Sequence, residues 1–421
     1  MKSKIINLIL ASTLLSFNFS CSENIETIQI NQDNNIESFT KNERKYNVSF
    51  TLKNKNDILD LIAEGIDIHG SGKNGRFNAY VNDKQVQFLK SKNISIIVKN
   101  FSNDNTKGLP TGYSTVQQVL EKIREYSQKY PELVKLHDIG DSWEKTQGKA
   151  NNDIWALTIT SNKNTSKKPS IVFMSGIHAR ELAPVELNLR LMDLLLSNYG
   201  KDSEITSYLD NTEVIFIPLA NIDGRLAVER GENMWRKNRH IDSKNKGVDL
   251  NRNFDDHWNF EGLPPNSTFE RMKKQLQDPY SEIYSGEAPF SEPETKSYRD
   301  FLANKKVNIF VDLHSYGEMI IYPPGYTNSP VPATPIFKKV ASYLASKNGY
   351  RTGTSMELLY PTCGTTKDWA YSKHGAISFT IELGDDGDGF RPPYSRIESI
   401  WNKNKDGFLY LIKIANNPSK I

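Results

Sequence analysis

From Gly112 to the C-terminus the chain alternates short apolar runs with long amphipathic stretches, and this alternation constrains the fold more than any other feature of the sequence. The runs at 171–174, 214–218, 307–313 and 377–383 read as strands, while 114–130 and 184–199 carry apolar residues at helical spacing. The second helix has Pro184 in its first turn and Gly200 at its end, the placement expected of a helix start and stop. Strands separated by helices of this length predict an α/β sheet covered by helices. Ligands of such sheets collect beyond the carboxyl ends of the strands, and the polar residues that follow each run place a site there.

At 421 residues the chain is long for one core but suits a small domain followed by one of about 300 residues. The small unit is legible at 45–100. Residues 45–52 alternate as a strand, Ile58, Leu59, Leu61 and Ile62 fall at helical spacing within 57–64, and a glycine-rich turn follows at 70–75. A strand at 77–81, a helix at 83–92 and a β-rich run at 94–98 complete a small α/β unit. The polar, turn-rich segment 101–112 reads as a linker, and Lys107 offers a trypsin-like cleavage point within it. The large domain is then 113–421.

Lys2 and Lys4 precede an apolar run at 5–19 that ends in Ser20, Cys21 and Ser22, the pattern of an export signal over 1–21. The run is shorter than the ~20 residues a bilayer requires and contains Ser12, Ser16 and Asn18, so no transmembrane segment is expected. Cys21 stands where a bacterial lipoprotein carries its lipidated cysteine, yet Asn18 occupies the position that usually holds an aliphatic residue. Free secretion and anchoring through Cys21 both stay open. Residues 22–44 read as a disordered linker. With the signal removed only Cys363 remains, so no intramolecular disulfide is available, and Cys363 reads as a packing residue. A net charge of +3, with 24% charged and 37% hydrophobic residues, describes an ordinary globular protein and argues against a nucleic-acid partner.

The segment directly after the 171–174 strand is His178-Ala179-Arg180-Glu181. An imidazole and a carboxylate three positions apart can reach one zinc ion, the first half of a three-ligand catalytic site. His314, at the end of the apolar strand NIFVDLHSY, is the best candidate for the third ligand, because a surface histidine is not expected there. Two close ligands and a distant third leave the fourth position open to water and substrate. Glu382 falls on the polar side of the alternating strand AISFTIELG, where a charge is costly unless it meets a metal, a cation or a working water. It is the candidate proton acceptor.

The residues then resemble a known family. HARE (178–181), NIDG (221–224), MWRKNR (234–239), GVDLNRNF (247–254), DLHSY (312–316), YPPGY (322–326), the loop from Tyr360 to Trp369, and FTIELGD (379–385) occur in the order found in zinc metallocarboxypeptidases of the A/B type, with closer likeness to the bacterial carboxypeptidase T branch. The resemblance runs from about residue 112 to the C-terminus. It implies a mixed central sheet flanked by helices, one catalytic Zn²⁺, and hydrolysis of the C-terminal peptide bond of peptides and proteins. It makes His178, Glu181 and His314 the zinc ligands and Glu382 the general base. Arg236 is implied to stabilise the oxyanion, Asn251 and Arg252 to grip the terminal carboxylate, Tyr360 to close over it, and Arg180 and Tyr316 to contact substrate. Asp249 is implied to orient the His178 ring. The small N-terminal unit resembles the family's propeptide, which implies a monomeric zymogen and an activating protease cutting within 101–112.

Lys367 takes the position that in this family lies at the base of the pocket for the terminal side chain, so a preference for acidic C-terminal residues is expected if its ammonium is otherwise partly desolvated. The departures are Ile222 in place of a proline, Gly384 in place of a frequent arginine, and about ten extra residues near 261–278 that read as a rim element or a tolerated surface loop. Asp385, Asp386 and Asp388 admit a Ca²⁺ site, although a solvated acidic turn is the simpler reading. Two alternatives stand beside peptide hydrolysis: an inactive binding module on the same fold, and a carboxypeptidase or amidase trimming peptidoglycan peptides.

Overall fold

The strand Ser170–Ser175 is buried at every residue. Its side chains divide alternately between two cores: Ile171 and Phe173 join one apolar cluster, Val172 and Met174 another. A strand buried on both faces belongs at the centre of a sheet with helices on each side. The computed structural model describes residues 46–54, 57–70, 73–99, 107–164 and 167–416. The expected signal and the 22–44 linker lie outside these residues, as does the 101–106 part of the second linker. No helix among the described residues is long and apolar enough to cross a membrane.

The small N-terminal unit is an antiparallel sheet of β1 (Tyr46–Thr51), β2 (Asp67–His69), β3 (Arg76–Val81) and β4 (Ile96–Val98), in the order β2-β3-β1-β4. Helices α1 (Asp57–Ala63) and α2 (Asp83–Ser91) join its strands. Asn82 and Gln85 close a reciprocal capping box at the start of α2.

The large domain contains β5 (Val134–Asp141), β6 (Asp153–Ile159), β7 (Ser170–Ser175), β8 (Glu213–Ile217), β9 (Val307–Ser315), β10 (Met319–Ile321), β11 (Arg351–Gly353) and β12 (Ile377–Leu383). They form an eight-stranded sheet in the order β11-β10-β12-β9-β7-β8-β6-β5. Strands β12, β9, β7 and β8 are parallel to one another, and antiparallel pairs flank them. The sheet is therefore mixed. Its helices are α3 (Val116–Lys129), α4 (Trp143–Thr146), α5 (Ala183–Asn198), α6 (Ser203–Asn211), α7 (Ile222–Glu229), α8 (Ser267–Leu276), α9 (Pro293–Leu302), α10 (Thr334–Asn348), α11 (Ser355–Leu358), α12 (Thr366–His374) and α13 (Ser395–Ala415). Apolar residues of α3, α5, α10 and α13 cover one face, those of α9 and α12 the other.

Three parallel strands deliver the polar residues to one end of the sheet. The 178–181 loop follows β7, His314 lies near the end of β9, and Glu382 lies near the end of β12, directly paired with His314 across the β9–β12 ladder. The extra segment near 261–278 is a folded element rather than a plain loop. It carries α8, whose Phe269, Met272 and Leu276 are buried in one cluster with the apolar residues of the N-terminal unit.

Candidate active site

The three candidate ligands converge. His178 Nδ1 lies 2.7 Å from Glu181 Oε1, His314 Nδ1 lies 3.0 Å from Glu181 Oε2, and the two Nδ1 atoms are 3.1 Å apart. All three side chains are buried. Two imidazole nitrogens this close cannot both point a proton at the other, and the facing carboxylate adds negative charge. A cation resolves that arrangement, and donors about 2.0–2.1 Å from a tetrahedral zinc ion stand roughly 3.3 Å from each other. The donor set fits zinc.

The outward ring nitrogens are held by carboxylates. His178 Nε2 lies 3.1 Å from Asp249 Oδ1 and His314 Nε2 lies 2.8 Å from Asp312 Oδ2. Such contacts fix the tautomer that leaves Nδ1 free to bind metal. Asp249 also accepts from Arg236, with Nε at 3.2 Å and Nη2 at 2.9 Å from its Oδ2. Burial raises the Asp249 carboxyl, yet Arg236 and His178 hold it well below the usual carboxylate range. Arg236 is thereby aimed along the cleft, with Nη1 3.8 Å from Glu181 Oε1. Asn221 ties the two loops together, since its Nδ2 donates to the Ile177 carbonyl at 3.1 Å and to the Lys237 carbonyl at 2.9 Å.

Glu382 lines the same cavity as the three ligands. Desolvation pushes its carboxyl up to about 8, with Glu181 adding to the rise. A dication on the three donors acts in the opposite direction and favours the carboxylate, the form that can accept a proton.

Asn251, Arg252, Tyr316, Tyr360, Lys367, Arg180 and Arg236 line this cavity as well, while Asp249 stands behind it. Asn251 Oδ1 accepts from the Thr366 amide at 2.9 Å, at the start of α12. Arg252 is buried, donates from Nη1 to the Asn251 carbonyl at 2.7 Å, and keeps Nε without a partner. Gly364, at φ 60°, lets the following loop approach, since a Cβ there would collide with the Arg252 carbonyl.

Lys367 is buried in the cleft. Its ammonium lies at the cavity wall but is already paired: Nζ donates to Asp368 Oδ2 at 2.7 Å and to Thr365 Oγ1 at 3.4 Å. Asp368 also accepts from the Gly325 amide at 3.0 Å. The acidic turn after β12 is closed by protein donors, with Arg396 Nε 2.6 Å from Asp388 Oδ1 and the amides of Gly387 and Asp388 on Asp385 Oδ1.

Sequence reasoning assigned no role to Asp312, Asn221, Asp67, His69 or Asn78. Asp312 had a signal, because two-residue alternation puts it on the same side of β9 as His314. The last three belong to the N-terminal unit and reach the cleft. Asp67 forms a two-pronged ion pair with Arg180, at 2.6 and 3.0 Å. Burial raises the Asp67 carboxyl, but Arg180 holds it below the ordinary range. His69 Nδ1 is 2.6 Å from the Tyr316 hydroxyl, to which Asn78 Nδ2 also donates at 3.1 Å. Desolvation pushes His69 down to about 3, so its ring sits there neutral.

Comparison with known proteins agrees with this geometry. The family described as zinc carboxypeptidase matches residues 119–407. The chain is 33% identical over 313 residues to carboxypeptidase O of Bos taurus, covering 71% of this chain and 78% of that one. It is 29% identical over 384 residues to carboxypeptidase B2 of Bos taurus, covering 86% of each, a span longer than residues 113–421 alone. Among solved structures, thrombin activatable fibrinolysis inhibitor superposes with a TM-score of 0.71 at 25% identity, over 89% of this chain and 99% of that one. Carboxypeptidase A from Helicoverpa armigera shares the fold, with a TM-score of 0.74 at 21% identity over 90% of this chain and 99% of that one.

Proposed function

The chain belongs to the zinc carboxypeptidase family and is a peptide hydrolase of C-termini, and we propose that it is a secreted zymogen whose cleft residues divide the work as follows. His178, Glu181 and His314 hold the zinc ion, with Asp249 and Asp312 orienting the rings. When bound, zinc supplies Lewis acidity to water and to the scissile carbonyl. Glu382 accepts the proton of the attacking water at its carboxylate and passes it to the leaving amine. Arg236 donates to the carbonyl oxygen as negative charge develops, in a cleft where a fixed guanidinium acts with little reorganisation. Arg252 and Asn251 grip the terminal carboxylate, which limits cleavage to the last residue. Tyr360 covers that carboxylate, while Arg180 and Tyr316 meet residues further upstream. The observation that supports this reading is the pairing of Glu382 with His314 across two parallel strands, at a cavity that His178 and Glu181 also line.

Lys367 reads the terminal side chain and favours Asp or Glu. Two of its three donors are engaged by Asp368 and Thr365. A substrate carboxylate therefore shares a partly compensated ammonium, and the preference is smaller than an unpaired lysine would give.

The zymogen reading is supported by Asp67 on Arg180 and by His69 and Asn78 on Tyr316, contacts that occupy the outer cleft with the chain's own N-terminal unit. An activating protease cuts near Lys107, which is exposed, and the protein works as a monomer.

The catalytic assignment is tested by Glu382→Gln. The variant is expected to retain one zinc per chain and to lose roughly 10²–10⁴-fold in kcat, since the base is gone while the ligands stand. Turnover near that of the unaltered protein would move the base elsewhere.

A further inference from the structure

Helix α8 lies in the segment that departs from the family pattern, and contacts within the large domain fix its position. Asn266 caps it, with Oδ1 accepting from the Phe269 amide at 2.9 Å. At its other end the amide and the hydroxyl of Ser285 both donate to the Leu276 carbonyl, each at 2.9 Å. Phe269 stacks on Phe260, with ring centroids 4.4 Å apart and planes at 8°.

This anchored helix carries an apolar face that reaches the cleft. Phe269, Met272 and Leu276 fall on one side and are buried in a cluster drawn mostly from the N-terminal unit, including Ile58, Leu61 and Ile62 of α1. Ile283 and Tyr360 pack against the same cluster, and both also line the catalytic cavity, as does Gln275 of α8. The face and the cleft are therefore continuous.

The N-terminal unit traces a route between the two. Asp67 pairs with Arg180 at 2.6 and 3.0 Å, and two residues earlier Gly65 lies against Gln275, where an added Cβ would stand 3.3 Å from Oε1. Gln275 Nε2 also donates to the Ala63 carbonyl at 3.0 Å, a contact with backbone that any residue can offer. Two residues of extended backbone span at most about 7 Å. A peptide held at Arg180 thus reaches Gln275, and the face of α8 beyond it, within a few residues. Without the N-terminal unit that face would be an apolar patch beside a peptide-binding cleft, the kind of surface that marks an interaction site. Met272 gives it an unbranched side chain that adapts to different partners.

We propose that the apolar face of α8 is an extended substrate site of the processed enzyme, taking an apolar side chain roughly four to six residues before the C-terminus. Gln275 donates to a substrate carbonyl on the way, as it does to that of Ala63. The site lies outside the pocket for the terminal residue, so it selects among longer peptides and does not act on a blocked dipeptide. It rests on the zymogen reading above in one respect, that the N-terminal unit leaves the face once the linker is cut.

The test uses the full chain cut between 100 and 112 and probes that share one C-terminal residue: a blocked dipeptide, and longer peptides with Leu or Ser at each upstream position in turn. The ratio of kcat/KM for a long peptide to that for the dipeptide, taken on one preparation, cancels the fraction of active enzyme. In the wild-type protein Leu is expected to exceed Ser about tenfold at one upstream position. Met272→Ser should remove that preference and leave the dipeptide unchanged. Gln275→Ala should lower the long-peptide ratio roughly fivefold. Met272→Glu should move the preference from Leu to Lys, which a general loss of stability would not do. Where a Met272 variant fails to fold, Gln275→Ala, at a half-buried side chain, carries the test. Equal kcat/KM for Leu and Ser throughout, in enzyme that turns over the dipeptide, would overturn the site and leave the zymogen reading standing. The same result in cut enzyme that elutes as a dimer would overturn it in favour of a second copy of the chain. A preference for Leu already present in the uncut protein would support the site and reject its covering by the N-terminal unit.

Discussion

Lys367 shows how far a single residue can be read and where the reading stops. Its place at the wall of the cavity is a matter of position in the motif, but its ion pair with Asp368 depends on the rotamer of a neighbour and on the Gly325 loop that packs against both. Spacing does not encode that. If Lys367 nonetheless reads substrate, kcat/KM for a C-terminal Glu peptide should exceed that for an Arg peptide at least tenfold, a difference of about 1.4 kcal/mol, and Lys367→Asp should reverse the order. A preference for Leu or Phe that survives Lys367→Ala would show that the lysine is structural. His314 and Glu382 are legible for the opposite reason. A histidine at the end of an apolar strand, or a glutamate on the polar side of one, is too costly to be bland, so each stood out against its own strand. Asp312 obeys the same alternation and could have been found with His314. Asp67, His69 and Asn78 could not, because their meaning lies in a partner more than a hundred residues away.

Among the elements, long and strongly patterned ones were legible and short or charged ones were not. Strand β7 and helix α5 announce themselves by continuous apolarity and by Pro184 and Gly200. Strands β2, β10 and β11 are three residues each and carry no usable period. Helix α8 was hidden by its composition, since three apolar residues among charged ones resemble a solvated loop until a second surface covers them. Helix α9 carries a testable consequence of burial. Glu292 and Glu294, just before and within its first turn, are both buried, and both accept from Asn238 Nδ2, at 2.8 and 3.1 Å. Burial, with Glu292 nearby, pushes the Glu294 carboxyl up to about 8 from an ordinary 4.5. The folded state thus holds this proton more tightly than the unfolded chain does. The resulting stability is fully present below pH 4.5 and is lost as pH rises through 8, on the order of a few kcal/mol. Thermal unfolding across that window should show this decline in the wild-type chain and a flatter profile in Glu294→Gln. Parallel profiles for the two proteins would assign the pH dependence to another group.

At the scale of the whole molecule, the mixed sheet gathers the chemistry at the carboxyl ends of its parallel strands, and the N-terminal unit meets that chemistry through Arg180 and Tyr316. Purified full-length protein should therefore be nearly inactive and gain activity when cut between 100 and 112. Equal activity before and after would leave the N-terminal unit as a folding aid or spacer. The central claim is that a zinc ion on His178, Glu181 and His314, with Glu382 beside it, removes single residues from free C-termini. Its most direct measurement is mass spectrometry of one peptide in two forms, with a free and with an amidated C-terminus, treated with processed enzyme stripped by chelator and then restored with Zn²⁺. The expected result is loss of one C-terminal residue from the free form, only after zinc is restored, with the amidated form left intact. Full activity in the thoroughly stripped enzyme, or internal cuts in both peptides, would contradict the account.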